Sequence, residues 1–314
     1  MTLALGLGDD RLVAQVHVNL GQSYAAAADY DKALEHLEEG LERKDRVPSG
    51  RAGARMASAM RSGTGRAYAL GYLGLVHGDM GQFDLAYNYL DEALSIVRAA
   101  RSRAVEGSIL TQLAMVQLWQ GAWDACRATA SAMQGTAEQV HGPYILAMSK
   151  TVSGYAKFMC GADAEGLELL REAAAWLEST KIGLTLSWNQ ACLAEALALS
   201  LRRDEAKVHA ERALDRAGAR DRLGEVAAYR ALGLAQMGRE GGWEAARASF
   251  ERALLAAERK RSLRDAAITR YRGSAVALHF GHSERAAQWL AEALSAFASM
   301  KMDGYRVEAE RLAR

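Results

Sequence analysis

The sequence predicts an all-α helical-repeat solenoid, and three columns of residues sharing one 40-residue period predict it. Ala86, Cys126, Gly166, Ala206, Ala246 and Ala286 form a column of small residues. Ala93, Met133, Ala173, Ala213, Ala253 and Ala293 form a second, alanine at all but one position. Gly81, Gly121, Gly161, Leu201, Gly241 and Gly281 form a third, glycine at all but one. Glycine tolerates the positive φ with which a helix ends and the chain turns back. The two small columns stand seven residues apart, on one face of the following helix, and let neighbouring helices approach closely. Between them runs a larger apolar column, Leu90, Leu170, Phe250 and Leu290, with Ala130 and Ala210 as smaller exceptions. One repeat is thus a helix, a Gly-centred turn and a second helix. In the third repeat Met133 and Ala130 look like a size swap between adjacent columns.

Composition agrees. Alanine is abundant, β-branched runs are scarce, and the only prolines are Pro48 and Pro143. An earlier repeat carries Leu20-Gly21-Gln22-Ser23-Tyr24 followed by Ala33, Leu37 and Gly40. Its Ala33 lies 53 residues before Ala86, so extra residues intervene. They fall in the stretch from Arg43 to Arg66, which is basic and contains Pro48; we read 45–66 as a basic Gly/Ser-containing insertion between the first and second repeats. The spacing then predicts seven helix pairs, at about 11–44, 66–100, 105–137, 144–179, 184–217, 223–259 and 265–299. A capping helix within 301–314 closes the array, with Tyr305, Val307, Ala309 and Leu312 set among charged residues. Leu3 to Asp9 resembles the end of a preceding repeat, which suggests a piece of a longer chain.

Leu20-Gly21…Tyr24, Leu73-Gly74…His77 and Leu232-Gly233…Gln236, each followed by the Ala…Leu/Phe…Ala run, resemble the tetratricopeptide (TPR) signature. The resemblance implies a right-handed superhelix whose first helices line a concave surface. The repeats are longer than the usual 34 residues, a length shared with HEAT and armadillo repeats, but the Gly–Ala–Leu–Ala columns favour TPR-like packing. The segments from Asp29 to Ala33, Gln117 to Ala125 and Ser179 to Leu197 look most like the C-terminal TPR region of bacterial adenylate/guanylate cyclases and related signalling ATPases. Their cyclase and ATPase domains lie outside this chain's pattern, and no such activity is carried over.

No catalytic motif emerges, and the chain reads as a non-enzyme without cofactor or metal. Ser62-Gly63-Thr64-Gly65-Arg66 lacks the spacing and lysine of a phosphate loop and reads as a flexible break. His279 and His282 flank the turn glycine Gly281 with no third ligand near. Cys126 sits in a packing column, and Cys160 and Cys192 have no sequence-local histidine to activate them. With 39 basic and 38 acidic residues nothing global attracts nucleic acid or an anionic membrane, and the basic Arg43–Arg66 run has no aromatic platform for bases. Met1 to Asp10 lacks a basic lead, so it does not read as a secretory signal, and the three cysteines fit a reduced, cytoplasmic protein.

Helical spacing places Tyr68, Tyr72, Met115, Trp119, Met148, Tyr155, Met159 and Trp188 on or near the concave face, with Glu195 and Arg230 as polar anchors. Such surfaces suit amphipathic helices or extended peptides, although a stripe at this spacing also describes a core. The lysines and arginines of a carboxylate clamp are missing from the first two inner helices, which present Gln15, Val18, Asn19 and Gln22, then Tyr68, Gly71, Tyr72 and Leu75. The expected partner is a protein or peptide in the groove, or other domains of a parent chain. A small-molecule sensor and a structural or oligomerisation spacer are the alternatives.

Overall fold

The computed structural model describes residues 10–46, 52–180, 185–218 and 220–313. Within them fifteen α-helices pair in order, with no strand among the described residues. The pairs are α1 (Asp10–Ala26) with α2 (Tyr30–Arg46), α3 (Ala52–Met80) with α4 (Phe83–Ala99), and α5 (Arg103–Gln120) with α6 (Trp123–Val140). Then come α7 (Pro143–Met159) with α8 (Asp163–Thr180), and α9 (Leu186–Leu199) with α10 (Arg203–Gly218). The last are α11 (Glu225–Leu234) with α12 (Gly242–Arg259) and α13 (Leu263–His279) with α14 (Ser283–Ser299), followed by the cap α15 (Asp303–Leu312). The TPR-like solenoid of seven pairs and a cap is therefore the fold.

The glycine column turns the chain as its spacing predicts. Gly81, Gly121, Gly161, Gly241 and Gly281 all have positive φ, between 64° and 93°. Leu201, the one exception, adopts the same left-handed conformation at φ 59° with its side chain exposed. Within pairs, a glycine of the first helix receives the large apolar residue of the second. A Cβ on Gly21, Gly74 or Gly233 would come within 2.5–2.7 Å of Leu37, Leu90 or Phe250. This is the physical content of the Leu-Gly motif: the side chain is omitted so that a neighbour's can enter. The third pair meets the same need by another route, with buried Ala114, Ala130 and Met133.

Two local expectations change. In the last pair Trp289, not Leu290, enters the notch, its ring 2.7 Å from where a Gly273 Cβ would be. The sixth pair has a longer turn, from Ala235 to Gly241, so the notch glycine Gly233 and Phe250 stand 17 residues apart, against 16 for Gly74 and Leu90. The Ser62–Arg66 stretch is no break: it lies inside α3, which runs unbroken for 29 residues. Residues 52–66 of the segment read as an insertion thus extend the inner helix of the second pair. Residues 47–51 and the Leu3–Asp9 segment lie outside the described residues.

First helices stack on one another as an inner layer, from α1 through α3, α5, α7, α9 and α11 to α13. Successive pairs curve far enough that the two edges of the superhelix meet. The α1–α2 turn receives a main-chain hydrogen bond from Arg222 N to Ala26 O (2.8 Å). Asp31 pairs with Arg261, and Asp84 with Lys301 at 2.7 Å. At Gly121 and Gly304 two backbones touch so closely that neither position has room for a Cβ, and Trp123 packs edge-on against Tyr305 at 5.1 Å. The turns within pairs one to three thus form a seam with the turns that follow pairs five to seven.

Candidate functional site: the inner face

Closure decides the fate of the concave stripe. Met115, Trp119, Met148, Tyr155 and Trp188 are buried, as are Glu195 and Arg230, while Tyr68, Tyr72 and Met159 are half-buried. The structure brings these residues together, but it does not leave them lining an open groove. The inner helices converge until Trp119 and Trp188 lie edge to face at 6.3 Å and the Arg264 guanidinium sits 4.4 Å over the Trp119 ring. Met159 accepts a contact from Arg272 Nη2 at 3.6 Å, and the Tyr68 hydroxyl faces Ser108 at 3.5 Å. α13 packs on α3 and α11, and the cap α15 packs on α5 and α13. The late repeats occupy the space that an open solenoid of this length leaves empty.

The two polar anchors belong to a larger buried set. Glu195 takes both ends of a fork from Arg230, at 2.8 and 3.0 Å. Arg230 also donates to Asp265 at 3.2 Å, and Asp265 binds Lys260 at 2.6 Å and Arg264 at 2.9 Å. Lys260 continues to Asp79 at 2.9 Å, where Arg264, Tyr30 and Ser262 converge as well. Arg272 links Glu195 at 3.5 Å to Glu308 at 3.7 Å. Four acids thus face four bases, so this set carries no net formal charge.

Electrostatics follows from this pairing. Burial alone would raise the Glu195 carboxyl, but Arg230 and then Arg272 more than reverse it, leaving it below the usual range. Burial likewise opposes ionisation of Asp265, and Arg264, Lys260 and Arg230 outweigh it strongly. At the rim, burial prevails and raises Glu308. Two side-chain donors of this face, Trp119 Nε1 and Arg264 Nε, are buried without a hydrogen-bond partner, and Arg272 Nε has only the 3.5 Å ion pair with Glu195. A buried unpaired donor is costly, which makes such atoms candidates for contact with an acceptor-bearing ligand.

Sequence reasoning found Glu195 and Arg230 but missed Asp79, Lys260, Arg264, Asp265, Arg272 and Glu308. A signal was present: Glu195, Arg230 and Asp265 are spaced 35 apart with alternating sign, at successively earlier positions on three consecutive inner helices. Asp79 had no such signal, because its basic partners, Lys260 and Arg264, come from 181 and 185 residues away. Elsewhere, His279 accepts the Gly238 N–H at 3.1 Å and His282 stacks on Trp243 at 4.1 Å, so each has a packing role. Burial pushes the Cys126 thiol up to about 12 and raises Cys192 as well, which disfavours nucleophilic roles. No group of three or more metal-ligating side chains gathers among the described residues.

No family model matches the chain, and no curated protein sequence does. Solved structures do. A Rap protein complexed with competence and sporulation factor superposes with a TM-score of 0.67 at 14% identity, over 90% of this chain and 73% of that one. The Rap conjugation gene regulator of plasmid pLS20, complexed with a Phr peptide, gives 0.67 and 14% over 91% and 73%. Aspartyl phosphate phosphatase F from Bacillus subtilis gives 0.59 and 12% over 94% and 73%. At these identities the likeness is one of fold: this chain has the helical-repeat architecture of the Rap structures.

Proposed function

We propose that this chain is a non-catalytic, regulatory protein- or peptide-binding module whose binding surface is the inner face, reached when the seam opens. The observation that carries the reading is the pairing of buried aromatic surface with Trp119 Nε1 and Arg264 Nε, buried donors that lack acceptors. Peptide carbonyls are acceptors of the right kind, and the charged set offers anchors for side chains. A buried network of ions contributes less stability than apolar packing of the same volume, so its presence fits a face that serves more than the core. One of the structurally similar Rap proteins was solved with a Phr peptide and another with competence and sporulation factor, which supports the same use of the fold here. The parent context, a larger bacterial signalling protein of cyclase or ATPase type acting in the cytoplasm, rests on the sequence resemblance. Among the described residues no helix is long and apolar enough to cross a membrane.

The test is selection of binders from a displayed random-peptide library against the wild-type chain. Its counterpart is the variant Asp84→Cys with Lys301→Cys, bridged by a short bismaleimide across the seam in a Cys160→Ala background. Enriched peptides should bind wild type and lose binding when the seam is locked. Equal binding to locked and unlocked protein places the site elsewhere and overturns the proposal. A structural spacer yields no enrichment at all.

A further inference from the structure

Where the first pair meets the fifth to seventh pairs, the seam leaves a cleft of about 910 Å³. Its walls are the α1–α2 turn, the α10–α11 turn and the α12–α13 turn. This volume falls within the range of small-molecule sites. Its lining carries Lys32, Arg216, Arg220, Arg222, Arg259, Lys260 and Arg261 against only Asp29, Asp31 and Asp221. A chain with 39 basic and 38 acidic residues has therefore gathered a local positive excess.

Pairing accounts for part of it. Lys32 binds Asp29 at 2.7 Å, Arg261 binds Asp31, Arg259 binds Glu225 at 2.6 Å, and Lys260 is held by Asp79 and Asp265. Asp221 turns away from the cleft: its oxygens accept the Ser187 N–H at 2.8 Å and the Ser187 hydroxyl at 2.6 Å. Among the described residues neither Arg220 nor Arg222 has an ion-pair partner, and the Arg222 Nε donates only to Ala217 O at 3.4 Å. Arg220 holds a positive φ of 72°, as Arg101, His141, Arg261 and Lys301 do at the turns between other pairs. The Arg222 main chain is pinned to Ala26 O across the seam, so its side chain is presented from a fixed point.

We propose that this cleft is a binding site, distinct from the inner face, for a compact phosphate-bearing anion. Guanidinium groups clustered on one short turn match the bidentate geometry of a phosphate. An acidic peptide, by contrast, calls for cations strung along a groove. Because the walls come from repeats that meet only at the seam, a bound anion favours the closed ring by mass action.

Calorimetric titration of the full chain with pyrophosphate, with potassium chloride at matched ionic strength as reference, tests this. Saturable binding and a raised melting temperature are expected. Arg220→Ala with Arg222→Ala should weaken binding by about tenfold or more, since hydrogen bonds to charged groups are the strong ones. Those side chains are exposed and half-buried, and the pinned Arg222 N–H is retained, so the variant's helical circular dichroism should match wild type. Arg247→Ala with Arg252→Ala removes equal charge from the outer surface and should leave affinity unchanged. Tighter binding of ATP than of pyrophosphate assigns the site to nucleotides, and equal binding assigns it to the phosphate group alone; either sustains the proposal. Absence of saturable binding at millimolar concentration, or equal losses in the two double variants, overturns it.

Discussion

At the scale of single residues, Asp79 carries the most consequence. It is fully buried on α3, and its carboxylate is met by Tyr30 from one side and by Lys260, Ser262 and Arg264 from the other edge of the superhelix. Removing one partner of a buried ion set leaves the others uncompensated and costs about 3–5 kcal/mol. Asp79→Ala should lower the melting temperature accordingly and raise hydrogen exchange first at residues 260–264, while helices far from the seam stay protected. An unchanged melting temperature means that the cluster does not hold the edges together. The carboxylates of Glu195 and Asp265 give a pH signature. Both are depressed in the folded chain, so their stabilisation is complete above the unfolded values, about 4. It is lost as pH falls below that range towards the folded values. The melting temperature should therefore decline steeply below about pH 4. Glu308, raised by burial, has the opposite sign, its contribution fading as pH rises, so Glu308→Gln should leave the acid limb in place.

At the scale of elements, the turn glycines perform two tasks that a sequence column cannot separate. Gly121 and Gly161 share a positive φ, 80° and 88°. Nothing lies within 4 Å of a Cβ built on Gly161, whereas on Gly121 it would stand 2.9 Å from the Tyr305 ring and 3.2 Å from its main-chain N. Gly161→Ala should cost only the left-handed conformation, roughly 1 kcal/mol. Gly121→Ala should cost more, since the cap must also move. Chemical denaturation of the two variants measures the difference, and equal losses would mean that the cap is not seated on the third pair. The helix pairs themselves were legible because turn chemistry and close packing repeat with the period. The displacement of Leu290 by Trp289 was not, because two large apolar residues stand side by side there and the column marks only the spacing. The helical state of Ser62–Arg66 was hidden for a related reason: glycine lowers helix propensity locally, but tertiary contact of a long inner helix overrides it.

At the scale of the whole molecule, the aromatic stripe was legible as a face and not as an interior. Whether a concave surface is open or filled depends on how far successive pairs curve, and curvature is a sum of small rotations that no single repeat's composition displays. The contacts that close the seam join residues 181 to 230 positions apart, each of them ordinary where it stands in the sequence. Glu195 and Arg230 were therefore recognisable as inward polar residues while their role in a ring-wide charge set was not.

The seam also bears on how the molecule tolerates changes of copy number. An open array gains or loses a unit at its end for the cost of one interface, which is why such arrays vary freely in length. Here the first three pairs must arrive opposite the last three, so length is a fitted quantity. Excising one period, residues 163–202, keeps a helix pair on each side of the cut but brings the wrong turns face to face. Small-angle scattering should then show a particle more extended than its shortened chain warrants, with unfolding spread over a broader transition. A proportionately smaller particle that still melts sharply would mean that the repeats re-close in a new register. Evolution of this chain by duplication of single repeats is constrained in the same way, and drift in the inner helices is the freer route to new specificity.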